Sequence, residues 1–193
     1  MKIRILSWNV RGANNCDKRK VIKALIKKNR ADLICLQETK IQEMTRGLIR
    51  SLGVGRFLEW GTVDSRGTTG GIVVIWDNRV LELIGSEKGE HSISCHFKNC
   101  EDGCTWTFTG VYGPTLRRER ECFWNELGAI YGLWNGPWCV AGDFNAILNL
   151  EERSRGGSFN SDMRRFVDVV EDLQLKDLPL FGGPFTWCGG VNN

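Results

Sequence analysis

Four apolar runs, each of which ends in a short polar motif, constrain this chain more than any other feature. The motifs are Ser7-Trp8-Asn9, Gln37-Glu38-Thr39-Lys40, Val111-Tyr112-Gly113-Pro114 and Gly142-Asp143-Phe144-Asn145. Carboxylates and amides are costly to bury without partners, so buried strands rarely end in them for packing reasons alone. Because open sheets gather ligands outside their strand ends, the motifs predict one polar pocket built from distant segments.

The succession of predicted elements favours a two-sheet α/β fold. Residues 2–37 predict a βαβ unit with a parallel strand pair, and Asp17 is expected to cap its helix. Strands over 71–76, 80–84, 93–97 and 105–111, with turn residues between them, indicate an antiparallel meander. The other predicted elements are helices over 43–51, 117–134 and 162–173 and strands over 138–141 and 185–188. The helices fall at intervals that suit the outside of two stacked sheets within a single domain, residues 1–193.

Asn9 and Glu38 follow the two strands of the βαβ unit, so their side chains are expected to lie side by side. Carboxylate and amide oxygens suit a hard cation such as Mg²⁺, which takes only one or two protein carboxylates and keeps several waters. The structural alternatives are a turn residue for Asn9 and a helix N-terminal charge for Glu38. As a pair, they predict a site for Mg²⁺ or Mn²⁺.

The Gly142-Asp143-Phe144-Asn145 motif predicts catalytic side chains. Strand alternation directs Phe144 into the core and leaves Asp143 and Asn145 on the same exposed side. Asp143 can orient or deprotonate a water, and Asn145 can donate a hydrogen bond to an oxyanion that develops on phosphorus. Tyr112 can present its hydroxyl to a phosphate. The alternatives are an Asx turn at Asp143 and a core position for Tyr112.

Charge and cysteine usage exclude little. A net charge of +3 neither demands nor excludes a nucleic-acid partner, and the basic clusters near three of the motifs are also typical of solvated helix faces. Among the eight cysteines, Cys100 and Cys104 form the only cluster and lack a second pair at zinc-site spacing. No apolar run has the length of a signal peptide or a membrane span, which predicts an intracellular protein with reduced thiols and no membrane partner.

As a set, the motifs resemble the endonuclease/exonuclease/phosphatase superfamily, which includes exonuclease III, abasic-site endonucleases and DNase I. The longer segments LSWNVRG, DLICLQETK, GGIVVIWD, VYGP, WCVAGDFNAIL and GPFTW are similar to the endonuclease domain of plant LINE-type (non-LTR) retrotransposons. The resemblance runs from residue 3 to residue 188, nearly the whole chain.

The resemblance implies a four-layer α/β sandwich of two packed mixed sheets flanked by helices, with the active site at one rim. Asn9 and Glu38 would then serve the metal, and Arg11 and Lys40 are candidate contacts to the substrate phosphate. The implied partner is DNA, and the implied reaction is the nicking of target DNA that primes reverse transcription. An enzyme acting on genomic DNA in this way would work in the nucleus.

The resemblance also implies roles for the other site residues. Tyr112 would contact the phosphate, Asp143 would orient or activate the water, and Asn145 would stabilise the transition state. One part of the family pattern, a Ser-x-Leu-Asp type motif followed by a terminal Ser-Asp-His, has no counterpart here, since His91 and His96 lie in the predicted meander. The chain therefore resembles a domain truncated at its C-terminus, with its last strands missing and no reverse-transcriptase segment. We expect an uncovered sheet edge and impaired turnover from it.

Three functions follow from these observations. The first is a Mg²⁺-dependent DNA endonuclease of the target-nicking type, impaired by the missing motifs. The second is a phosphodiesterase or phosphatase of the same superfamily that acts on RNA, inositol phosphates or lipids. The third is a non-catalytic remnant that binds nucleic acid, which salt-sensitive binding without metal-dependent cleavage would identify. Arg11 and the basic clusters favour nucleic acid. Target sequence and oligomeric state are not predicted.

Overall fold

The chain divides into two compact units, Met1–Asn145 and Ala146–Asn193, and the first contains two four-stranded sheets. A computed structural model describes residues 1–65, 70–149 and 158–178. The first sheet has the order β1-β2-β4-β3 and consists of β1 (Ile5–Asn9), β2 (Leu33–Gln37), β3 (Leu58–Val63) and β4 (Ile72–Asp77). The second has the order β5-β6-β7-β8 and consists of β5 (Leu81–Lys88), β6 (Ser92–Asn99), β7 (Thr105–Tyr112) and β8 (Trp138–Asp143).

The predicted βαβ unit is present. Helix α1 (Cys16–Asn29) joins β1 to β2, which pair in parallel. The expected cap is wrong by two residues: Asn15, not Asp17, caps α1, because Asn15 is extended and its side chain accepts from the backbone N–H groups of Asp17 and Lys18. Asp17 instead lies in the first turn, where its negative charge complements the helix dipole.

The predicted meander is right for three strands and wrong for the fourth. β5, β6 and β7 pair antiparallel in succession, whereas the predicted strand over 71–76 is β4 of the other sheet. It lies between β2 and β3, a strand that the sequence pattern did not predict. All residues of β4 except Asp77 are buried. A strand that is apolar on both faces needs neighbours on both sides and covered faces, which an inner position provides.

Two hydrophobic layers hold the first unit together. One lies between the first sheet and the helices α1 and α2 (Arg46–Leu52), and it contains Ile22, Ile26, Leu36, Ile49, Leu52 and Val73. The other lies between the sheets and contains Leu33, Cys35, Val74, Trp76, Phe97 and Phe108. The Trp76 and Phe97 rings meet edge to face, with their centroids 5.1 Å apart.

Helix α3 (Arg120–Tyr131) follows a 3₁₀ turn (Arg117–Glu119) and covers the outer face of the second sheet. The Glu126 carboxylate on α3 accepts from the backbone N–H groups of Glu90 and His91, at 3.0 and 3.2 Å, and from the Ser92 hydroxyl. The order helix, sheet, sheet, helix confirms the expected four-layer sandwich of two mixed sheets.

The second unit contributes α4 (Ser161–Asp172), capped by Asn160. Its buried side chains are Met163, Phe166 and Val169, whereas Val167 and Val170 are only half-buried. The predicted strand over 185–188 lies outside the described residues. Within the described ranges, no helix is long and apolar enough to cross a membrane.

Candidate active site

Four strand ends meet at one rim of the first unit. The parallel pairing of β1 with β2 sets Asn9 opposite Gln37, and that of β7 with β8 sets Tyr112 opposite Asp143. The two pairs belong to different sheets, and they are joined by a hydrogen bond of 2.8 Å from Asn9 Nδ2 to Asp143 Oδ2. The polar residues that follow the four apolar runs therefore do converge.

The segment after β1 runs alongside the segment after β2 and brings Glu38 next to Asn9. Three backbone bonds connect the segments: Val10 N–H donates to Gln37 O at 3.0 Å, Gly12 to Glu38 O at 2.6 Å and Ala13 to Thr39 O at 2.8 Å. Asn9 Oδ1 accepts from the Arg11 N–H at 3.0 Å. Asn9 is thus the turn residue considered as an alternative, and it also contacts the Asp143 carboxylate.

Asp143 and Asn145 form a turn that is tied to the end of β7. Asp143 Oδ1 accepts from the Asn145 N–H at 2.9 Å, which is the Asx turn considered as an alternative. Asn145 Nδ2 donates to Gly113 O at 2.7 Å, and Gly113 N–H donates to Asp143 O at 2.7 Å. Arg120 on α3 donates to Asn145 O at 3.0 Å. The turn is therefore part of the site, and it fixes the direction of both side chains.

Tyr112 lies half-buried between the two carboxylates. Burial is the largest cause that raises its pKa to about 12, followed by the negative charges of Glu38 and Asp143, and its hydroxyl is hydrogen-bonded to Glu38. A hydroxyl that donates to a carboxylate holds its proton more tightly. Tyr112 is therefore a neutral hydrogen-bond donor at physiological pH, and it contacts the site as well as the core.

The backbone of the rim is left-handed at four non-glycine positions. Six non-glycine residues in the described part of the chain have positive φ, and two of these, Arg30 and Gln174, lie just past helix ends. The other four are predicted site residues with φ between 48° and 54°: Arg11, Glu38, Lys40 and Asn145. Such conformations cost of the order of 1–3 kcal/mol each and concentrate at functional sites.

Lys40 carries a positive charge into the site. Its Nζ lies 3.0 Å from Glu38 Oε1, and the buried Thr39 separates the two residues. The backbone of Lys40 is held from both sides, since its N–H donates to Gly70 O at 2.7 Å and its carbonyl accepts from Asn14 Nδ2 at 3.0 Å. The ion pair therefore joins two residues that both have a left-handed backbone.

The donor atoms at the rim fit a hard divalent cation. Glu38 offers a carboxylate and Asn9 an amide oxygen, which are the oxygen donors that Mg²⁺ takes in small number while it keeps several waters. In the ranges that the structure describes, no group of three or more His, Cys, Asp or Glu side chains could hold a metal. A magnesium site of one or two protein carboxylates and several waters does not need such a group.

Both histidines have contacts away from these carboxylates. His96 stacks on Trp134 with ring centroids 5.5 Å apart and an interplanar angle of 8°, and its Nδ1 lies 3.0 Å from Thr107 Oγ1. His91 is buried and contacts Phe123 edge to face at 5.7 Å. Neither ring is positioned by a carboxylate in these contacts.

Sequence reasoning missed Gly70 and Asn14. A Cβ on Gly70 would lie 2.8 Å from Glu38 Cγ and 2.9 Å from Tyr112 Cε1, so a glycine is required for the Glu38–Tyr112 contact. The Gly70-Gly71 pair before β4 is the signal that marks such a close approach in the sequence. Asn14 left no comparable signal, because a polar residue ahead of a helix is expected for capping alone.

The two mixed sheets and the polar rim define the class of the protein, a DNase I-like α/β sandwich. The chain belongs to the Endonuclease/Exonuclease/phosphatase family, whose sequence profile matches residues 6–192. This confirms the resemblance in the motifs, and the members of the family are hydrolases.

Known proteins with similar sequences or folds include nucleases. The chain is 28% identical over 204 residues to an exodeoxyribonuclease of Bacillus subtilis, an alignment that covers 96% of this chain and 79% of that protein. Its fold is similar to the endonuclease domain of TRAS1, a telomere-specific non-LTR retrotransposon (TM-score 0.66, 11% identity, 89% of this chain and 72% of that one). It is also similar to an AP endonuclease from Leishmania major (TM-score 0.66, 16% identity, 89% and 66%).

The structural likenesses concern the fold alone, because their identities are low. The chain spans 62% of the length of a family member from Bacteroides thetaiotaomicron, less than two thirds of that solved structure. Substrate and partner therefore have to be argued from this chain's own residues.

Proposed function

We propose that this chain is a divalent-metal-dependent phosphodiesterase of the DNA endonuclease type. The observation that carries the proposal is the convergence of Asn9, Glu38, Tyr112, Asp143 and Asn145 at one rim, in a chain of this family. Two carboxylates, two amides and a protonated phenol supply the groups that phosphodiester hydrolysis requires: oxygen ligands, a proton acceptor and neutral hydrogen-bond donors.

Glu38 and Asn9 would hold the cation, Mg²⁺ or Mn²⁺. When bound there, such a cation supplies positive charge that polarises a phosphoryl oxygen. Tyr112 would contact the phosphate, because its pKa of about 12 keeps its single O–H a donor. That O–H would turn from Glu38 to a phosphate oxygen once the cation occupies the carboxylate. Arg11 and Lys40, both exposed at the rim, bring positive charge for the substrate phosphate.

Asp143 is the proposed base. One lone pair of each carboxylate oxygen is taken by the chain, by Asn9 on one side and by the Asn145 backbone on the other. Each oxygen retains a further lone pair that can accept from an attacking water. Because two hydrogen bonds fix the carboxylate plane, the direction in which it accepts a proton is fixed as well.

Asn145 is the proposed stabiliser of developing negative charge. Its amide has two N–H bonds, of which one is used by Gly113 O at 2.7 Å. The second N–H can donate to a phosphoryl oxygen in the transition state. A donor whose position is fixed before the reaction contributes more than one that must reorganise.

The proposal is tested by nicking of supercoiled plasmid with Mg²⁺ or Mn²⁺ and with chelator. Any nicking by wild type, however slow, should require metal, and Glu38→Gln should lower its rate by at least about tenfold, since the ligand charge is lost. Glu82→Gln, an exposed carboxylate on β5, is the matched control and should leave the rate unchanged. Equal nicking by wild type and Glu38→Gln would contradict the metal assignment.

Parallel assays distinguish the other substrates. If the protein cleaves RNA or a phosphomonoester but leaves the plasmid intact, its substrate is not DNA but another substrate of the family. Salt-sensitive DNA binding without cleavage of any substrate would favour the non-catalytic remnant. Two expectations stay predictions: the impaired turnover expected from the absence of a Ser-Asp-His motif, and a nuclear localisation.

A further inference from the structure

Lys40 has two properties that a passive surface lysine does not combine. Its backbone is held by Gly70 and Asn14 and is left-handed, so its starting point is fixed. Its side chain is 55% exposed, whereas the Glu38 carboxylate that it pairs with is only 18% exposed. The largely buried Glu38 carboxylate is therefore held in place by its surroundings, whereas the exposed Lys40 ammonium can move away from it.

The ammonium lies against one oxygen of the carboxylate that would bind the cation. Nζ lies 3.0 Å from Glu38 Oε1, and the hydroxyl of Tyr112 is hydrogen-bonded to the same carboxylate. A divalent cation on Glu38 would face the ammonium at a few ångströms, where like charges repel strongly. Departure of the ammonium would relieve this repulsion, and the exposed, unbranched side chain of Lys40 can move.

We infer that Lys40 is a displaceable counter-ion of Glu38. It neutralises the carboxylate in the metal-free protein, yields to the divalent cation and then donates to the substrate phosphate. The inference rests on the proposed function, since it takes Glu38 as a metal ligand. It adds that one residue opposes metal binding and favours substrate binding, so that removing it changes the two affinities in opposite directions.

The first part of the inference, that Lys40 opposes metal binding, is tested with Mn²⁺ alone. Free Mn²⁺ is measured by electron paramagnetic resonance. Lys40→Met should bind Mn²⁺ about two- to tenfold more tightly than wild type, the range expected when a partly exposed ion pair and a like charge are removed. Lys40→Arg keeps the charge and should not tighten binding. Lys20→Met is the matched control, because it removes the lysine of the exposed Lys20–Asp17 pair and makes the same change in net charge.

The second part of the inference, that Lys40 favours substrate binding, is tested at saturating Mn²⁺. The probe is a short DNA duplex with phosphorothioate linkages. Lys40→Met should bind it more weakly than wild type, opposite in sign to the effect on Mn²⁺. Lys98→Met, at the other end of β6 from the rim, should leave duplex affinity unchanged. A merely structural role for Lys40 would weaken both affinities together, and unchanged duplex affinity in Lys40→Met would overturn this part.

Glu38→Gln separates this inference from the proposed function. If Glu38→Gln abolishes Mn²⁺ binding while Lys40→Met binds Mn²⁺ no more tightly than wild type, the counter-ion role is wrong and the metal assignment stands. If Glu38→Gln binds Mn²⁺ as wild type does, or if neither wild type nor Lys40→Met binds it, both are wrong.

Discussion

Asn9 and Asp143, 134 residues apart in the chain, share a hydrogen bond of 2.8 Å that joins the two sheets at the rim. Asn9 ends β1 and Asp143 ends β8, so the bond connects one outermost strand of each sheet. A partly buried hydrogen bond to a carboxylate both stabilises the packing of the sheets and orients the acceptor.

A double-mutant cycle should detect this bond as a coupling between the two positions. We expect Asn9→Ala and Asp143→Ala to show a coupling free energy of roughly 1.5–3 kcal/mol in urea unfolding, the range for a hydrogen bond to a charged group. Asp17→Ala with Lys20→Ala is the comparison pair, and because both side chains are exposed its coupling should be close to zero. Additive effects at positions 9 and 143 would show that the bond is not made in solution.

Gly70→Ala should damage the site through sterics alone. The added methyl would meet Glu38 and Tyr112 at 2.8–2.9 Å, so it should lower stability by about 1–3 kcal/mol and weaken Mn²⁺ binding. Gly128→Ala is the control, because among the described residues no atom outside its own helical turn lies within 4 Å of its Cβ position in α3. It should raise stability by up to about 1 kcal/mol. Thermal melts and Mn²⁺ titration measure both effects. Unaltered Mn²⁺ affinity in Gly70→Ala would show that the Glu38–Tyr112 contact can relax.

Glu126→Gln should destabilise the chain without any direct contact to the rim carboxylates. The Glu126 carboxylate accepts from two backbone N–H groups and the Ser92 hydroxyl, and an amide offers one oxygen fewer. We expect a loss of about 1–3 kcal/mol, with helix propensity nearly unchanged. Glu82→Gln, at an exposed position of β5, should change stability little. Denaturant unfolding measures both stabilities. Equal stability of the two variants would refute the role of Glu126 in holding α3 against residues 90–92.

Tyr112 should make stability fall in strongly alkaline solution. Its pKa is raised from 10.0 to about 12 on folding, so the folded state binds the proton more tightly than the unfolded state. The contribution is fully present below pH 10 and is lost as pH rises from 10 to 12. Tyr131→Phe leaves Tyr112 as the single tyrosine, so its tyrosinate absorbance can be followed alone. Titration of Tyr112 near pH 10 in the folded protein would contradict the raised pKa.

The fold was predictable where the pattern is local. The βαβ unit follows from two apolar runs around an amphipathic helix, and the hairpins of the second sheet follow from turn residues between alternating runs. The position of β4 was not predictable. A run that is apolar on both faces indicates a buried strand, but it does not indicate which strands pair with it. The strands that pair with β4 are determined by how distant elements pack together, and the sequence of β4 alone does not contain this information.

The site was predictable in residue type and not in conformation. Polar groups at the ends of buried strands are visible in the sequence, which is why Asn9, Glu38 and Asp143 could be grouped. The left-handed backbone of Glu38 and Lys40 leaves no such trace, because non-glycine residues adopt it only when the surrounding structure enforces it. The Lys40–Glu38 ion pair depends on that conformation, so it could be found only in the structure.

The two parallel strand pairs of the rim have a consequence for the order of folding. β1 reaches β2, and β7 reaches β8, only after a helix has crossed over, whereas β5, β6 and β7 are joined by short turns. Contacts between residues far apart in sequence form late, because the entropy of closing long loops must be met first. In stopped-flow refolding, Mn²⁺ capture at the rim should therefore lag behind the recovery of far-ultraviolet circular dichroism. The cation would then report the moment at which β1 pairs with β2 and Asn9 meets the segment that carries Glu38.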